Sequence, residues 1–415
     1  MTQPTPSSSP TDVSPPAGAT AGTRLPPLAQ VPPQVHQLDD YAALAEPRMA
    51  PDAWAHVNGV AGAGITAQAN RAAYARWWVL PRVLQPLADA STAVTLLGQR
   101  LAHPFVLAPV AYQRLAHPQG ELASAEAAMA LGGGCVVSTQ ASETLEDVAR
   151  AARRGLGWPE SPGAQTVHGG EAASNQPGMP WFQIYFQREL ADTLDLVRRA
   201  EHAGYTALVV TVDAPLKLRR GFVLPPDVDA ANLRQHTRMQ DPVPSLADSP
   251  LFSHPLLAAA PGWADVAWLR AHTTLPIYLK GILTAHDARL ALEQGIDGLI
   301  VSNHGGRVQD GLPPTLAMLP AVVQAVRDWA QAQGTRCPPV LVDGGIRSGT
   351  DAFKAICLGA SAVLIGRPYI HALATAGALG VAHAIHLLRA ELELCMATAG
   401  CAQLAQAGPH LLMPA

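Results

Sequence analysis

Charge is scarce in this chain. Only 14% of residues are Asp, Glu, Lys or Arg, and the net charge of −4 with a pI near 6.4 leaves no broad basic field. Neither nucleic acid nor an anionic membrane surface is therefore expected as a partner. Cysteine is sparse and odd in number: Cys135, Cys337, Cys357, Cys395 and Cys401 form no CxxC pair and stand near no histidine at zinc-like spacing. They read as reduced, mostly buried thiols, and no metal site is expected. No apolar run reads as approaching the roughly 18 residues of a membrane helix, so no integral membrane segment is expected. The N-terminus also lacks the basic start and apolar block of a signal peptide, and a cytoplasmic location is the expectation.

Apolar residues, by contrast, make up 48% of the 415 positions, enough for one large core or two modest ones. Residues 1–35 are dominated by Pro, Ser, Thr, Ala and Gly without an apolar period, so they read as a disordered tail before a domain spanning 36–410. Similar composition at 155–180 ("GLGWPESPGAQTVHGGEAASNQPGMP") and irregularity at 225–261 mark two loop insertions in that domain.

Between these segments one unit recurs: a short apolar run, a polar or glycine-marked turn, then a stretch rich in Ala, Leu and Arg. The runs are "FVLAP" (105–109), "GCVVST" (134–139), "WFQIYF" (181–186), "ALVVTVD" (207–213), "PIYLKG" (276–281), "GLIVSN" (298–303), "PVLVDGG" (339–345) and "SAVLIGRP" (361–368). Continuous apolar runs alternating with helices argue parallel strands joined by crossovers. Eight of them predict an α/β fold of the (β/α)8 TIM-barrel type, with helices in roughly 36–100 before it and closing helices after 371. An open doubly wound sheet is the alternative, although no GxGxxG follows the first run.

In such a barrel, functional groups project from the C-terminal strand ends. Ser138 and Gln140, Gln183 and Tyr185, Thr211 and Asp213, Lys280, and Asn303, His304 and Arg307 stand at successive ends. After the seventh and eighth runs come "DGGIRSGTD" and "GRP", where glycines, helix starts, Arg347 and Arg367 make a phosphate site. A phosphorylated cofactor is expected there.

"VSNHGGR" (301–307) followed by "LVDGGIRSGTDAFKAICLGASAVLIGRP" (341–368) resembles the FMN-dependent α-hydroxy-acid oxidising enzymes. Supporting segments are "LAPVAYQRLAHPQGE" (107–121), "WFQIYF", "LVVTVDAP" and "LKGILTAHDARLA" (279–291). The resemblance implies FMN as cofactor and oxidation of a small L-2-hydroxy acid to the 2-oxo acid by a homotetramer. It implies His304 as the general base, Asp213 as its partner, and Tyr185 and Lys280 as further catalytic groups, the lysine beside the flavin. Arg307 and Arg220 would clamp the substrate carboxylate, with Arg220 preferred to Arg219 by its spacing from Pro215. Pro109, Ala111, Ser138, Gln183, Thr211 and Lys280 would contact the flavin ring, and Asp343, Gly345, Arg347, Gly366 and Arg367 its ribityl phosphate. The glycines after His304 would leave room for substrate.

The chain departs from the family where His56 stands in place of a usual tyrosine, so altered affinity or substrate choice is expected. Ala111 hints at oxygen as electron acceptor, with another acceptor left open. Two rivals remain: another FMN barrel enzyme such as an isomerase, and a flavin-binding protein without turnover.

Overall fold

A computed structural model describes residues 24–159, 178–214, 223–233, 249, 252, 257 and 260–415. Eight parallel strands close into a barrel: β1 (Phe105–Leu107), β2 (Gly134–Val137), β3 (Trp181–Ile184), β4 (Leu208–Thr211), β5 (Ile277–Ile282), β6 (Gly298–Val301), β7 (Val340–Val342) and β8 (Ala362–Ile365). Each coincides with one of the eight apolar runs. Closure is made by β8 against β1, with Val363 opposite Phe105 and Ile365 opposite Leu107. The barrel is thus settled over the open sheet.

Strand alternation sorts the side chains into two cores. Val106, Val136, Trp181, Val209, Tyr278, Ile300, Leu341 and Leu364, one from each strand, pack together inside the barrel. Leu96 and Leu101, from a hairpin of Val94–Leu96 and Gln99–Leu101, join this inner cluster. The neighbouring strand residues, such as Leu107, Val137, Phe182, Ile184, Val210 and Leu279, belong instead to the core shared with the helices. A period of two on strands buried on both faces produces this division.

The helices in chain order are α1 (Asp40–Ala45), α2 (Pro51–Asn58) and α3 (Ile65–Ala75) before the barrel. Around it lie α4 (Gly120–Ala130), α5 (Leu145–Gly155), α6 (Leu190–Ala203), α7 (Trp263–His272), α8 (Ala285–Glu293), α9 (Thr315–Gln333), α10 (Gly349–Cys357) and α11 (Arg367–Thr398). The helical stretch expected over 36–100 therefore ends at Ala75, and short strands occupy part of the remainder. One of them, Trp77–Val79, pairs with the C-terminal Leu412–Pro414.

Helix α11 begins at Arg367, before the expected 371, and is interrupted by non-helical backbone at Ala376 and Gly377. It also corrects the reading that no stretch approaches membrane length: an 18-residue window has mean hydropathy 1.4. Two thirds of that window (67%) is buried against the rest of the protein, which explains its apolarity as core packing.

Of the tail expected over 1–35, residues 24–35 are described, and they are tied to the body. Leu25 N–H donates to Pro47 O (3.0 Å), Leu28 N–H donates to Thr375 O (2.7 Å), and Val35 is buried. Residues 1–23, most of the 155–180 insertion and much of 225–261 lie outside the described residues, as do Arg219 and Arg220. All five cysteines are free, and only Cys337 is exposed.

Candidate active site

Counting two residues along each strand from the inner hydrophobic cluster gives Ala108, Ser138, Gln183, Thr211, Lys280, Ser302, Asp343 and Gly366. Period-two geometry stacks these as the next layer up, at the C-terminal mouth of the barrel. The apolar filling ends here and a polar floor begins. Ser138 Oγ and Thr139 N–H both donate to Gln183 Oε1, at 3.3 and 3.2 Å.

On the opposite side of this floor, Ser302 is a hub. Its Oγ accepts from Lys280 Nζ (2.9 Å) and from His304 N–H (3.0 Å), and donates to Asp343 Oδ2 (3.0 Å). Lys280 Nζ also lies 3.0 Å from Asp343 Oδ2 in a pair whose side chains are only 5% and 10% exposed. Burial opposes the charge on Lys280, but the Asp343 and Asp213 carboxylates outweigh it and hold the ammonium above its usual range. A fixed cation therefore sits in the floor.

Just above it, His304 Nδ1 is 2.8 Å from Asp213 Oδ1. His304 has φ +56°, a left-handed conformation that a non-glycine residue rarely adopts, and its N–H bond to Ser302 helps hold it. With Nδ1–H donating to the carboxylate, Nε2 carries the basic lone pair, the tautomer a general base requires. Tyr185 stands at the end of β3; burial raises its hydroxyl pKa well above the usual range, and Asp213 adds to this. It stays protonated at neutral pH.

Arg307 is held by the C-terminal end of α2. Its Nη1 donates to Val57 O (2.6 Å) and Gly59 O (2.9 Å), and its Nη2 donates to His56 O (2.7 Å). Among the described residues three of five guanidinium donors are so engaged, which leaves the Nε and Nη2 edge, the fork that matches a carboxylate. Burial lowers the Arg307 pKa, and Tyr185 opposes the shift. His56 presents its ring to Tyr112, with centroids 6.3 Å apart. The structure thus brings His56, Arg307 and Tyr112 to one side of the mouth.

Arg347 and Arg367 mark the far end. Each is pulled down to about 10 by burial and by two neighbouring guanidinium groups: Arg367 and Arg71 act on Arg347, Arg307 and Arg71 on Arg367. Both stay charged at neutral pH. With Gly345, Asn70 and Arg71 they line a cavity of about 250 Å³ that also meets α3. Mutually repelling, half-desolvated cations are a site for a dianion such as phosphate. Arg347 also pairs with Asp39 at 3.2 Å.

The glycines after His304 have a structural reason besides the expected room for substrate. The Gly305 carbonyl accepts from Arg367 Nη2, and a Cβ on Gly306 (φ +73°) would lie 2.7 Å from Ala67 N of α3. Gly306 thus admits a helix and Gly305 an arginine. Asn303 and Asn70 seal the same junction, exchanging amide bonds of 2.8 and 2.9 Å in a buried pair.

Two buried polar atoms of the floor have no hydrogen-bond partner among the described residues: Gln183 Nε2 and Asp343 Oδ1. One donor and one acceptor left open, a buried cation between them and an anion site at the end fit a flavin mononucleotide. The FMN-dependent dehydrogenase family matches residues 45–414. This chain belongs to that family. It is 45% identical over 394 residues to an L-lactate oxidase of Alicycliphilus denitrificans, covering 94% of this chain and 99% of the relative. It is 43% identical to a 4-hydroxymandelate oxidase of Amycolatopsis orientalis, covering 83% and 88%. Among solved structures, a mandelate oxidase with benzoyl-formic acid superposes with a TM-score of 0.74 at 39% identity, covering 92% of this chain and 98% of that one.

Within the family site, Pro109 and Ala111 follow β1, and Gly366 follows β8, where they were expected. Ser302, Asn70, Tyr112 and Asp310 were missed. Ser302 had a signal, since it stands two residues after the inward Ile300, as Lys280 does after Tyr278. Asp310 accepts from Ala63 and Thr66 N–H (2.9 and 2.8 Å), tying the start of α3 to the His304 loop. No local pattern announces that contact.

Proposed function

We propose that this enzyme oxidises an L-2-hydroxy acid to the 2-oxo acid and passes the electrons to oxygen. The observation that carries the reading is the His304–Asp213 pair, 2.8 Å apart, above the buried Lys280 and beside the open edge of Arg307. The printed names of its relatives, L-lactate oxidase and 4-hydroxymandelate oxidase, support the same class.

Bound FMN supplies the two-electron acceptor. The open edge of Arg307 holds the substrate carboxylate, joined by Arg220, and fixes the α-carbon near the base. His304 Nε2 takes one of the two protons lost, and Asp213 stabilises the imidazolium so formed. Tyr185, kept protonated, donates a hydrogen bond near the substrate hydroxyl. Lys280 would hold a fixed positive charge beside the ring and so favour its acceptance of electrons. Gln183 and Asp343 would offer their open atoms to the ring and ribityl chain, with Pro109, Ala111, Ser138 and Thr211 to line the ring and Gly345, Arg347, Gly366 and Arg367 to hold the phosphate. His56, beside Arg307 and Tyr112, shapes the substrate wall. In total, acid and oxygen give 2-oxo acid and hydrogen peroxide.

The homotetramer and the cytoplasmic setting belong to this proposal. Trp78 and Met413, register partners that are both exposed, and Val83 and Leu84 of the following loop supply apolar surface for association. Light scattering and cell fractionation test these two points.

The decisive experiment is the anaerobic visible spectrum of the purified protein with glycolate, L-lactate, L-mandelate and longer 2-hydroxy acids. Bleaching by one acid, reversed by air with peroxide formed, is the expected result. An intact yellow spectrum with every acid, or no flavin binding on reconstitution, overturns it.

A further inference from the structure

Glu121 of α4 is a buried carboxylate beneath the loops that follow β1 and β2. Its Oε1 accepts from Gln113 N–H (3.0 Å), Ser142 N–H (3.0 Å) and Ser142 Oγ (3.3 Å), while Oε2 has no partner among the described residues. The titratable groups coupled to it are Cys135 of β2, Tyr205 after α6 and Tyr369 of α11; Arg114, whose backbone N–H donates to Ser142 Oγ (3.0 Å), turns its guanidinium to Glu143 at 3.9 Å. Burial pushes its pKa up to about 6, opposed by the backbone N–H bonds, so at neutral pH it is a carboxylate with no ion-pair partner among the described residues.

Such a group is costly to keep, and its bonds show what it holds. Gln113 N–H and Ser142 N–H belong to the two loops that carry Pro109, Ala111 and Tyr112 on one side and Ser138 and Gln140 on the other. The loops are also joined directly, Tyr112 N–H donating to Gln140 O at 3.1 Å. From Gln113 the network runs on: Nε2 donates to Tyr369 Oη (3.0 Å), and Tyr369 Oη donates to Ala108 O (2.9 Å) in the floor layer. Ser124 Oγ fixes the other end of the Gln113 amide at 2.6 Å.

We propose that Glu121 is a positioning residue: its carboxylate clamps the Pro109–Gln113 and Ser138–Ser142 loops against the FMN site, and its unbalanced charge lowers the midpoint potential of the bound flavin. The proposal rests on the FMN reading of the site but on no particular substrate.

The test compares wild type, Glu121→Gln and Glu121→Ala, each reconstituted with FMN and free of substrate. FMN affinity is read by fluorescence titration, and midpoint potential by dye-coupled reduction at about pH 7.5 and about pH 5, either side of the carboxylate's titration. Glu121→Gln keeps a carbonyl acceptor, so its FMN affinity stays within about twofold. Its potential is more positive than wild type at the higher pH, and the two converge at the lower. Glu121→Ala loses about tenfold or more in FMN affinity, with Gln as the rescue. Equal potentials of wild type and Glu121→Gln at both pH values, or wild-type FMN affinity in Glu121→Ala, would overturn the proposal. Should Glu121→Ala not fold, the Gln comparison decides alone. A wild type that binds FMN but is bleached by no hydroxy acid refutes the proposed reaction and leaves these measurements intact.

Discussion

The Arg307 guanidinium lies 2.7 Å from the backbone carbonyl of His56, so the residue proposed to bind the substrate carboxylate also anchors the helix that carries His56. Binding and wall geometry are mechanically joined. Arg307→Lys is therefore not conservative: an ammonium keeps the charge but neither the three carbonyl bonds nor the fork. It is expected to raise KM about tenfold or more, from the loss of charge-assisted bonds. Steady-state kinetics on the acid that bleaches the flavin checks this.

His56→Tyr is expected to shift KM about fivefold, in either direction, with a change in the ranking of acids by kcat/KM. The ring stands beside Tyr112, in the proposed substrate wall, and is not the proposed base, so kcat is expected to move less. Unchanged kinetics on every acid would remove His56 from the substrate wall.

Asp213→Asn keeps a hydrogen-bonding group at 2.8 Å from His304 but no longer stabilises an imidazolium. The rate of anaerobic flavin reduction is expected to fall by about 10²–10⁴. The visible spectrum of the oxidised protein should stay unaltered, which separates lost proton transfer from lost cofactor.

Arg367→Met removes one of the three arginines that line the cavity proposed for the phosphate, and the donor to Gly305 O. FMN affinity is expected to drop about 10–100-fold, the worth of one charge-assisted contact to an anion. Riboflavin, which has no phosphate, should bind wild type and variant alike; fluorescence titration of the apoprotein with each ligand checks the pair.

Stability should fall in mild acid. His103 and His371 are held down to about 4, in both cases chiefly by burial, against an ordinary value of 6.5. A depressed folded pKa contributes stability above the unfolded pKa that is lost as pH drops toward the folded one. The window is therefore pH 6.5 down to about 4. Glu121, raised to about 6 from 4.5, works with the opposite sign: its stabilisation is complete below 4.5 and is lost as pH rises through 6. Two histidines outweigh one carboxylate, so the melting temperature at pH 4 is expected below that at pH 7. A His371→Asn variant should show a shallower fall.

Much of the barrel could be read in the sequence because strands buried on both faces leave continuous apolar runs. Polar residues at their ends, such as Lys280, Gln183 and Asp343, stand out against that background. His304 and Arg307 were legible for a different reason, their family resemblance. The glycines beside them were legible as motif but not as mechanism, since Ala67 and Arg367, the groups they admit, are distant in the chain.

The sequence by itself determined the repeating strand and helix units and the inward period of two. It also determined which residue types reach the barrel mouth. All of these depend on neighbours a few positions away. Only the tertiary structure decided closure of β8 on β1, the three-way bond of Ser302, and the seating of Arg307 on α2. Glu121 likewise gained its two loops only through folding. Each joins groups far apart in the chain, and hydrogen bonds a few ångströms long leave no period in a sequence.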